Sequence, residues 1–448
     1  MMPLLATADA EFQPLLLAAV LLSLAVCYLA SKVGGELCAR LSLPPVLGEL
    51  LGGVVVGISA LHLLVFPESG AIAADSQVIS LLGLTAGLPT DLAEPVFHAS
   101  SEVIAVLAEI GVIILLFEIG LESDLNELIR VGPQAALVAL TGVVVPFAAG
   151  TLGLMALFHV PAIAAIFAGA ALTATSIGIT AKVLAEVGQL KGTEGQIIIG
   201  AAVLDDILGI IVLAVVTGLA KTGEVDLLNV ATILGSSTLF VVGAILLGRV
   251  LGPQFVKLVN QLETRGVVLI TALVLAVIVG YIAQVIRLEA ILGSFAVGLV
   301  LGETEKKHDL QKDVAPIADV LVPLFFVTVG AKTDLSVLNP AVAANREGLA
   351  IALFLVVTAV LGKLATALVV RGSDEQPLNR WAIGVGMIPR GEVGLVFAGV
   401  GAASGVLPDA LNVAVVIMVI ATTFLAPPLL RQVFTPADPS VGTHDLAE

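Results

Sequence analysis

The sequence predicts an all-α polytopic membrane protein, an interpretation that rests on its composition and on the length of its apolar runs. Of its 448 residues, 58% are hydrophobic and only 12% are charged, and the mean hydropathy is +1.11. A soluble domain needs more surface charge than this. The runs are about 20 residues long, which is the length that crosses a hydrocarbon core. They are also continuous, whereas β-barrel strands alternate in shorter segments.

About thirteen apolar segments are predicted to span the membrane. Their bounds are 14–33, 44–65, 102–121, 133–157, 160–188, 195–219, 229–251, 266–286, 288–302, 313–332, 348–371, 380–405 and 409–430. The first follows the acidic stretch ADAEF instead of a basic region, which favours a retained span over a signal peptide. Segment 66–100 is only moderately apolar, so we expect at most a surface helix there.

The basic residues are distributed unevenly between the two sides of the predicted spans. With the N-terminus outside, fourteen of the twenty Lys and Arg residues fall on the cytoplasmic side, four fall outside, and Lys363 and Arg390 lie within spans. This positive-inside bias predicts an outer N-terminus and a short cytoplasmic tail at 431–448. The net charge of −16 lies largely in loops and tail and speaks against a nucleic-acid partner.

Two segments indicate an internal repeat. AEIGVIILLFEIGLESDL (108–125) aligns without gaps on ADVLVPLFFVTVGAKTDL (318–335), which pairs Gly120 with Gly330 and Asp124 with Asp334. These third and tenth predicted spans cross in opposite directions, and such inverted repeats are typical of secondary transporters. The sequence therefore predicts one transporter domain over 1–448, with a first core repeat at 102–219 and a second at 313–430.

Two adjacent acids, Asp205 and Asp206, lie in the span GAAVLDDILGIIVLAVVTGL. Charges within spans are functional hypotheses by default. Two carboxylates so close do not both ionise cheaply unless a cation is near. That cation is either a bound metal ion or Lys363, the only deep lysine. A structural network of the three is the alternative, although it would not require adjacent acids.

The fifth and twelfth predicted spans look interrupted. GAALTATSIGITAKVL carries Thr173, Thr175 and Ser176 in mid-span, and GVGMIPRGEVGLVFAG carries Pro389, which removes a backbone donor. Broken helices at membrane depth persist only where they line a cavity or are buried in protein. Their carbonyl and hydroxyl oxygens suit a small alkali cation, although back-bonding of each hydroxyl to the preceding turn remains open.

Three further charges within spans are candidate site residues. Half-helix ends carry partial charges that Arg390 and Glu392 could neutralise, and a purely local ion pair between them is the alternative. Glu118, in LLFEIGLESDL, is a deeper acid for which an essential ion-handling role is one possibility among several.

Taken together, these segments resemble the bacterial sodium/proton antiporters of the second cation/proton antiporter superfamily. The resemblance rests on LDDILGIIVLAV, TATSIGITAKVL, GMIPRGEVGLVFA, PPVLGELLGGVVVG, LLFEIGLESDL and LEAILGSFAVGLVLG. It implies thirteen helices, two broken crossing helices in a core domain, an elevator motion and a homodimer. Dimerisation and linker helices would be 229–302 with 14–65. It also implies that Asp206 binds the ion and that Asp205 pairs with Lys363.

The Asp-Asp-Lys set resembles the electrogenic subgroup of that family. Potassium-exchanging relatives more often carry Gln-Asp and a soluble nucleotide-binding domain, and neither is found in this sequence. We therefore expect a secondary active antiporter that exchanges Na+ or Li+ for H+ by alternating access, with Asp206 taking either ion. A K+/H+ antiporter is the alternative within the superfamily, and an uncoupled cation channel or permease is the alternative of another class.

No enzyme activity, no cofactor and no metal beyond transported Na+ is expected. The sequence has no recognisable nucleophile–base pair, and its five histidines fall in or near predicted loops. The protein is expected to be embedded in a lipid bilayer. Low aromatic content and acidic loops would suit a cyanobacterial protein of the plasma membrane, with the thylakoid membrane as an alternative.

Overall fold

The computed structural model describes residues 2–222, 227–262, 264–341, 343–372 and 378–434. Within a few helices, at Glu392 among other positions, the backbone is described but the side chain is not. The described residues form sixteen α-helices and four short 3-10 turns, without a β-strand. The α-helices are α1 Met2–Arg40, α2 Pro45–Val56, α3 Gln77–Thr85, α4 Thr90–Glu122, α5 Leu125–Phe158, α6 Ala162–Ala171, α7 Ile177–Glu186, α8 Thr193–Thr222, α9 Leu227–Val259, α10 Val267–Val285, α11 Ala290–Leu301, α12 Lys307–Ala331, α13 Ala343–Leu364, α14 Arg380–Gly386, α15 Glu392–Ala403 and α16 Asp409–Phe434.

The described helices have the lengths and compositions of a polytopic membrane protein. Nine of them are long and apolar enough to cross a bilayer. Four shorter apolar helices accompany them, at Pro45–Val56, Ala162–Ala171, Ala290–Leu301 and Val393–Ala402. Segment 66–100 holds the short helix α3 and the first turns of α4, which begins well before the predicted span at 102. The predicted all-helical membrane class is confirmed.

The internal repeat extends beyond the segments found in the sequence. The short helix α2 lies in PPVLGELLGGVVVG (44–57), which aligns without gaps on EAILGSFAVGLVLG (289–302) around α11. The two aspartates paired by the first alignment also make similar hydrogen bonds, each to the backbone at the start of a helical segment. Asp124 accepts hydrogen bonds from Asn126 N at 2.8 Å and Glu127 N at 3.0 Å at the start of α5. Asp334 accepts one from Ser336 N at 2.8 Å in the 3-10 turn Leu335–Leu338.

The two halves of the repeat pack crosswise through glycines. A Cβ added at Gly53 on α2 would lie only 2.9 Å from Gly330 Cα on α12. At the equivalent place, a Cβ at Gly298 on α11 would lie 3.0 Å from Gly120 Cα on α4. Only glycine allows backbones to approach this closely, as is common where membrane helices pack. The short helix α2 therefore packs against the long helix α12, and its counterpart α11 packs against the long helix α4.

The helices pack most extensively within two groups. The frame group consists of α1, α2, α4, α10, α11 and α12, and the core group consists of α5–α8 and α13–α16. The groups meet where α7 contacts α2 and α4 and where α16 contacts α2, and α9 contacts both groups. The predicted core repeats at 102–219 and 313–430 stay a prediction, and the packing places their first long helices, α4 and α12, in the frame group.

Candidate functional site

The fifth predicted span is broken at its centre. Helix α6 ends at Ala171 and α7 begins at Ile177, and the intervening residues are buried. The Thr173 hydroxyl donates to Ala170 O in the preceding turn at 2.8 Å. That local bond competes with continuation of the helix. The break leaves the C-terminal carbonyls of α6 and the N-terminal amides of α7 without helical partners in the middle of the core group.

The twelfth predicted span is broken in the same way, and the two breaks contact each other. Helix α14 ends at Gly386 and α15 begins at Glu392. Across the crossing, Ser176 N donates to Pro389 O at 2.9 Å, and the Thr175 hydroxyl donates to Met387 O at 3.2 Å. Gly391 leaves room for Ser176, since an added Cβ would lie 2.8 Å from the Ser176 hydroxyl oxygen. Each break thus satisfies backbone groups of the other.

Arg390 holds the crossing together from within. Its side chain is fully buried, and Nη1 donates to Ala174 O at 2.9 Å and to Met387 O at 3.5 Å. The Arg390 carbonyl in turn accepts from the Thr423 hydroxyl on α16 at 2.6 Å. A guanidinium is suited to this place because it carries positive charge to carbonyl oxygens at helix C-termini, where the macrodipole is negative.

Asp205 on α8 and Lys363 on α13 form a buried ion pair. Lys363 Nζ lies 3.1 Å from Asp205 Oδ2, and neither side chain has any exposed surface. The charge of Asp205 also acts on Arg390 nearby. A buried charge costs several kcal/mol unless it is paired, so Asp205 and Lys363 each stabilise the charge of the other.

Asp206 is directed to a different place, a small cavity at the crossing of the broken helices. Thr175, Ser176 and Gly391 line this cavity together with Asp206, which is 4% exposed. The space is that of about one water-sized particle. Adjacent helix positions point about 100° apart, which explains how α8 presents one carboxylate to Lys363 and the other to the cavity. Carboxylate and hydroxyl oxygens are suitable ligands for a dehydrated alkali cation.

Two predicted site residues are placed otherwise, and the side chain of a third is not described. The Thr173 hydroxyl bonds its own preceding turn and does not line the cavity. Glu118 on α4 is half-buried away from the cavity, among the charges of Lys182, Glu122 and Asp319. The side chain of Glu392 lies outside the described residues, although its backbone begins α15.

One cavity residue was missed in the sequence. Glu289, immediately before α11, lines the same cavity as Asp206. Its position at the edge of a predicted span gave no reason to place it beside α8. The alignment of 289–302 on 44–57 marks the helix start, but only the packing brings that start to the broken helices.

A buried acid at the crossing of two interrupted helices is typical of the class of ion-coupled secondary transporters. The chain belongs to the sodium/hydrogen exchanger family, whose transmembrane-domain model matches residues 21–435.

Individual relatives extend over nearly the whole chain. It is 64% identical over 435 residues to the high-affinity Na+/H+ antiporter NhaS3 of Synechocystis, covering 96% of this chain and 94% of that protein. It is 31% identical to the Na+/H+-K+ antiporter GerN of Bacillus cereus, covering 93% and 96% of the two chains. The solved structure of the sodium proton antiporter NhaP1 from Methanocaldococcus jannaschii superposes with a TM-score of 0.59 at 18% identity, covering 93% and 96%. That likeness concerns the fold.

Proposed function

We propose that this protein is a secondary active antiporter that exchanges Na+ or Li+ for H+, with Asp206 as the shared site. The observation that carries the proposal is the small cavity that Asp206 lines together with Thr175 and Ser176. Family membership and the 64% identity to a Na+/H+ antiporter support the choice of ions.

Competition for one carboxylate accounts for exchange. Either a proton or a sodium ion neutralises Asp206, and a neutral site can pass through the low-dielectric barrier, whereas the empty charged site is held back by its desolvation cost. Each crossing therefore carries one kind of ion in one direction, and no covalent step is required. The Asp205–Lys363 pair would set the local field and could release a further proton when it opens.

The motion that we propose is a displacement of the core group against the frame group, the elevator motion of the resembled family. The site residues Asp206, Thr175 and Ser176 all belong to the core group, so they would move as one body. Joining α6 with α7 and α14 with α15 as broken spans, and leaving out the short helix α3, gives the thirteen crossings that we propose. The homodimer, the outer N-terminus and the bacterial plasma or thylakoid membrane are part of the same proposal.

Potassium/proton exchange is the second candidate. GerN, 31% identical to this chain, is named a Na+/H+-K+ antiporter. Hydroxyl, carbonyl and carboxylate oxygens coordinate both ions, and selectivity depends on the geometry of the occupied site. A cavity with the space of about one water-sized particle favours a coupled carrier over a continuously open channel.

The test is cation-driven proton movement in proteoliposomes. Purified protein is reconstituted into liposomes that enclose a pH-sensitive dye. NaCl, LiCl, KCl or choline chloride is then added outside at a clamped membrane potential. We expect luminal alkalinisation with Na+ and Li+ and none with choline. A response to K+ alone would establish the second candidate instead. A cation flux without proton movement would show an uncoupled pathway and contradict the antiporter.

A further inference from the structure

The cavity at Asp206 is built from both helix groups. Asp206, Thr175 and Ser176 come from the core group, whereas Glu289, Ile291 and Phe325 come from the frame group. Glu289 is the only acid on the frame side among the described residues that line it. Two acidic residues from opposite groups therefore line one small cavity.

Glu289 lies immediately before the first residue of α11. A carboxylate at this position often bonds the first amides, yet its side chain makes no such capping hydrogen bond. The equivalent position in the other half of the repeat, before α2, is Pro44, so an acidic residue is found in only one of the two halves. The nearby N-terminus of α11 still favours negative charge at this position through its macrodipole.

We propose that Glu289 is a cation-recruiting carboxylate of the transport site. It helps to draw Na+ or Li+ to Asp206 in the conformation described here, in which both residues line one cavity. The proposal rests on the antiporter function proposed above. Because Glu289 belongs to the frame group, displacement of the core group would separate it from Asp206. The cation would thus meet two carboxylates in one conformation and one carboxylate in the other, which would help to release it.

The test compares Glu289→Gln with Glu289→Asp and with a charge-matched control. Glu305→Gln removes one exposed negative charge near the opposite end of α11. Na+-dependent exchange is measured in proteoliposomes over a range of Na+ concentrations. We expect Glu289→Gln to raise the KM for Na+ on the order of fivefold and to change the maximal rate by less than about twofold, as loss of a partly screened attraction would. Glu289→Asp should recover part of the affinity, and Glu305→Gln should retain the wild-type KM.

A labelling experiment gives a readout other than transport. Cys27 and Cys38, both buried, are replaced by serine, and Glu289→Cys is modified with a cationic thiosulfonate reagent. Na+ should slow the modification, and choline at equal ionic strength should not.

An unchanged KM in Glu289→Gln, together with labelling that is insensitive to Na+, would overturn the assignment while leaving the antiporter intact. Absence of any Na+-dependent exchange in the wild-type protein would instead overturn the proposed function itself.

Discussion

Lys363 and Asp205 form an ion pair 3.1 Å long between two helices of the core group, and both side chains are completely buried. The pair lies beside the crossing of the broken helices, since the charges of Arg390 and Asp206 both act on Lys363. Lys363 thereby compensates the charge of Asp205, whereas Asp206 lines the cavity.

Removing the lysine should destabilise the protein. Lys363→Gln leaves Asp205 as a lone buried charge, which typically costs about 3–5 kcal/mol of unfolding free energy. The double variant Asp205→Asn with Lys363→Gln carries no lone charge and should regain much of that loss. Thermal unfolding in one detergent measures all three proteins. A single variant as stable as the wild type, without any effect of the second change, would show that the pair contributes nothing.

Gly142 on α5 gives a more delicate test of the same pair. An added Cβ there would lie 3.1 Å from Lys363 Nζ and 3.4 Å from its Cδ, closer than most real contacts. Gly132, on the same helix, has open space around its missing Cβ and is the matched control. Both changes to alanine improve helix propensity by about 1 kcal/mol. We therefore expect Gly132→Ala to be neutral or stabilising and Gly142→Ala to unfold at a lower temperature. Equal behaviour of the two variants would mean that Lys363 is not confined there.

Two threonines of the first break should separate ion binding from helix structure. Thr175 lines the cavity, whereas the Thr173 hydroxyl is bonded to Ala170 O and does not line it. Thr175→Val should raise the KM for Na+ several-fold with a smaller change in maximal rate, because a hydroxyl oxygen is lost from the site. Thr173→Val should leave the KM unchanged. The Na+ dependence of exchange measures both, and equal KM values would count against Thr175 as a ligand.

Arg390 should matter chiefly for the crossing. Arg390→Met removes the donor to Ala174 O, and leaving a buried carbonyl unsatisfied costs about 1–3 kcal/mol. Met387 O keeps the Thr175 hydroxyl as a donor. Arg380, exposed at the start of α14, is the control on the same segment. We expect thermal stability to fall clearly for Arg390→Met and by little for Arg380→Met. Comparable stability of the two variants would refute a role for Arg390 in holding the crossing.

Much of this architecture could be predicted because it depends on local chemistry. Pro389 cannot donate within a helix, and a cluster of Thr and Ser in an apolar run is a visible anomaly, so both breaks could be located. The pairing of Asp205 with Lys363 followed from the family resemblance and from the scarcity of deep lysines. What could not be predicted depends on how distant helices pack.

The association of α4 and α12 with α2 and α11 depends on glycine contacts between distant segments, and so does the position of Glu289 at the cavity. Glu118 shows the opposite case. It is a deep acid in a predicted span, yet its charged neighbours are Lys182, Glu122 and Asp319, and it does not line the cavity. Depth alone therefore does not identify the transport site.

The most direct test of the account is Na+/H+ exchange by Asp206→Asn. The change keeps the size of the side chain and removes the charge for which the proton and the sodium ion compete. The variant is purified, shown to be monodisperse, and assayed beside the wild type in proteoliposomes with an imposed pH gradient and radioactive Na+. The account predicts Na+ uptake at the level of empty liposomes, with thermal stability retained. Uptake at the wild-type rate would contradict it.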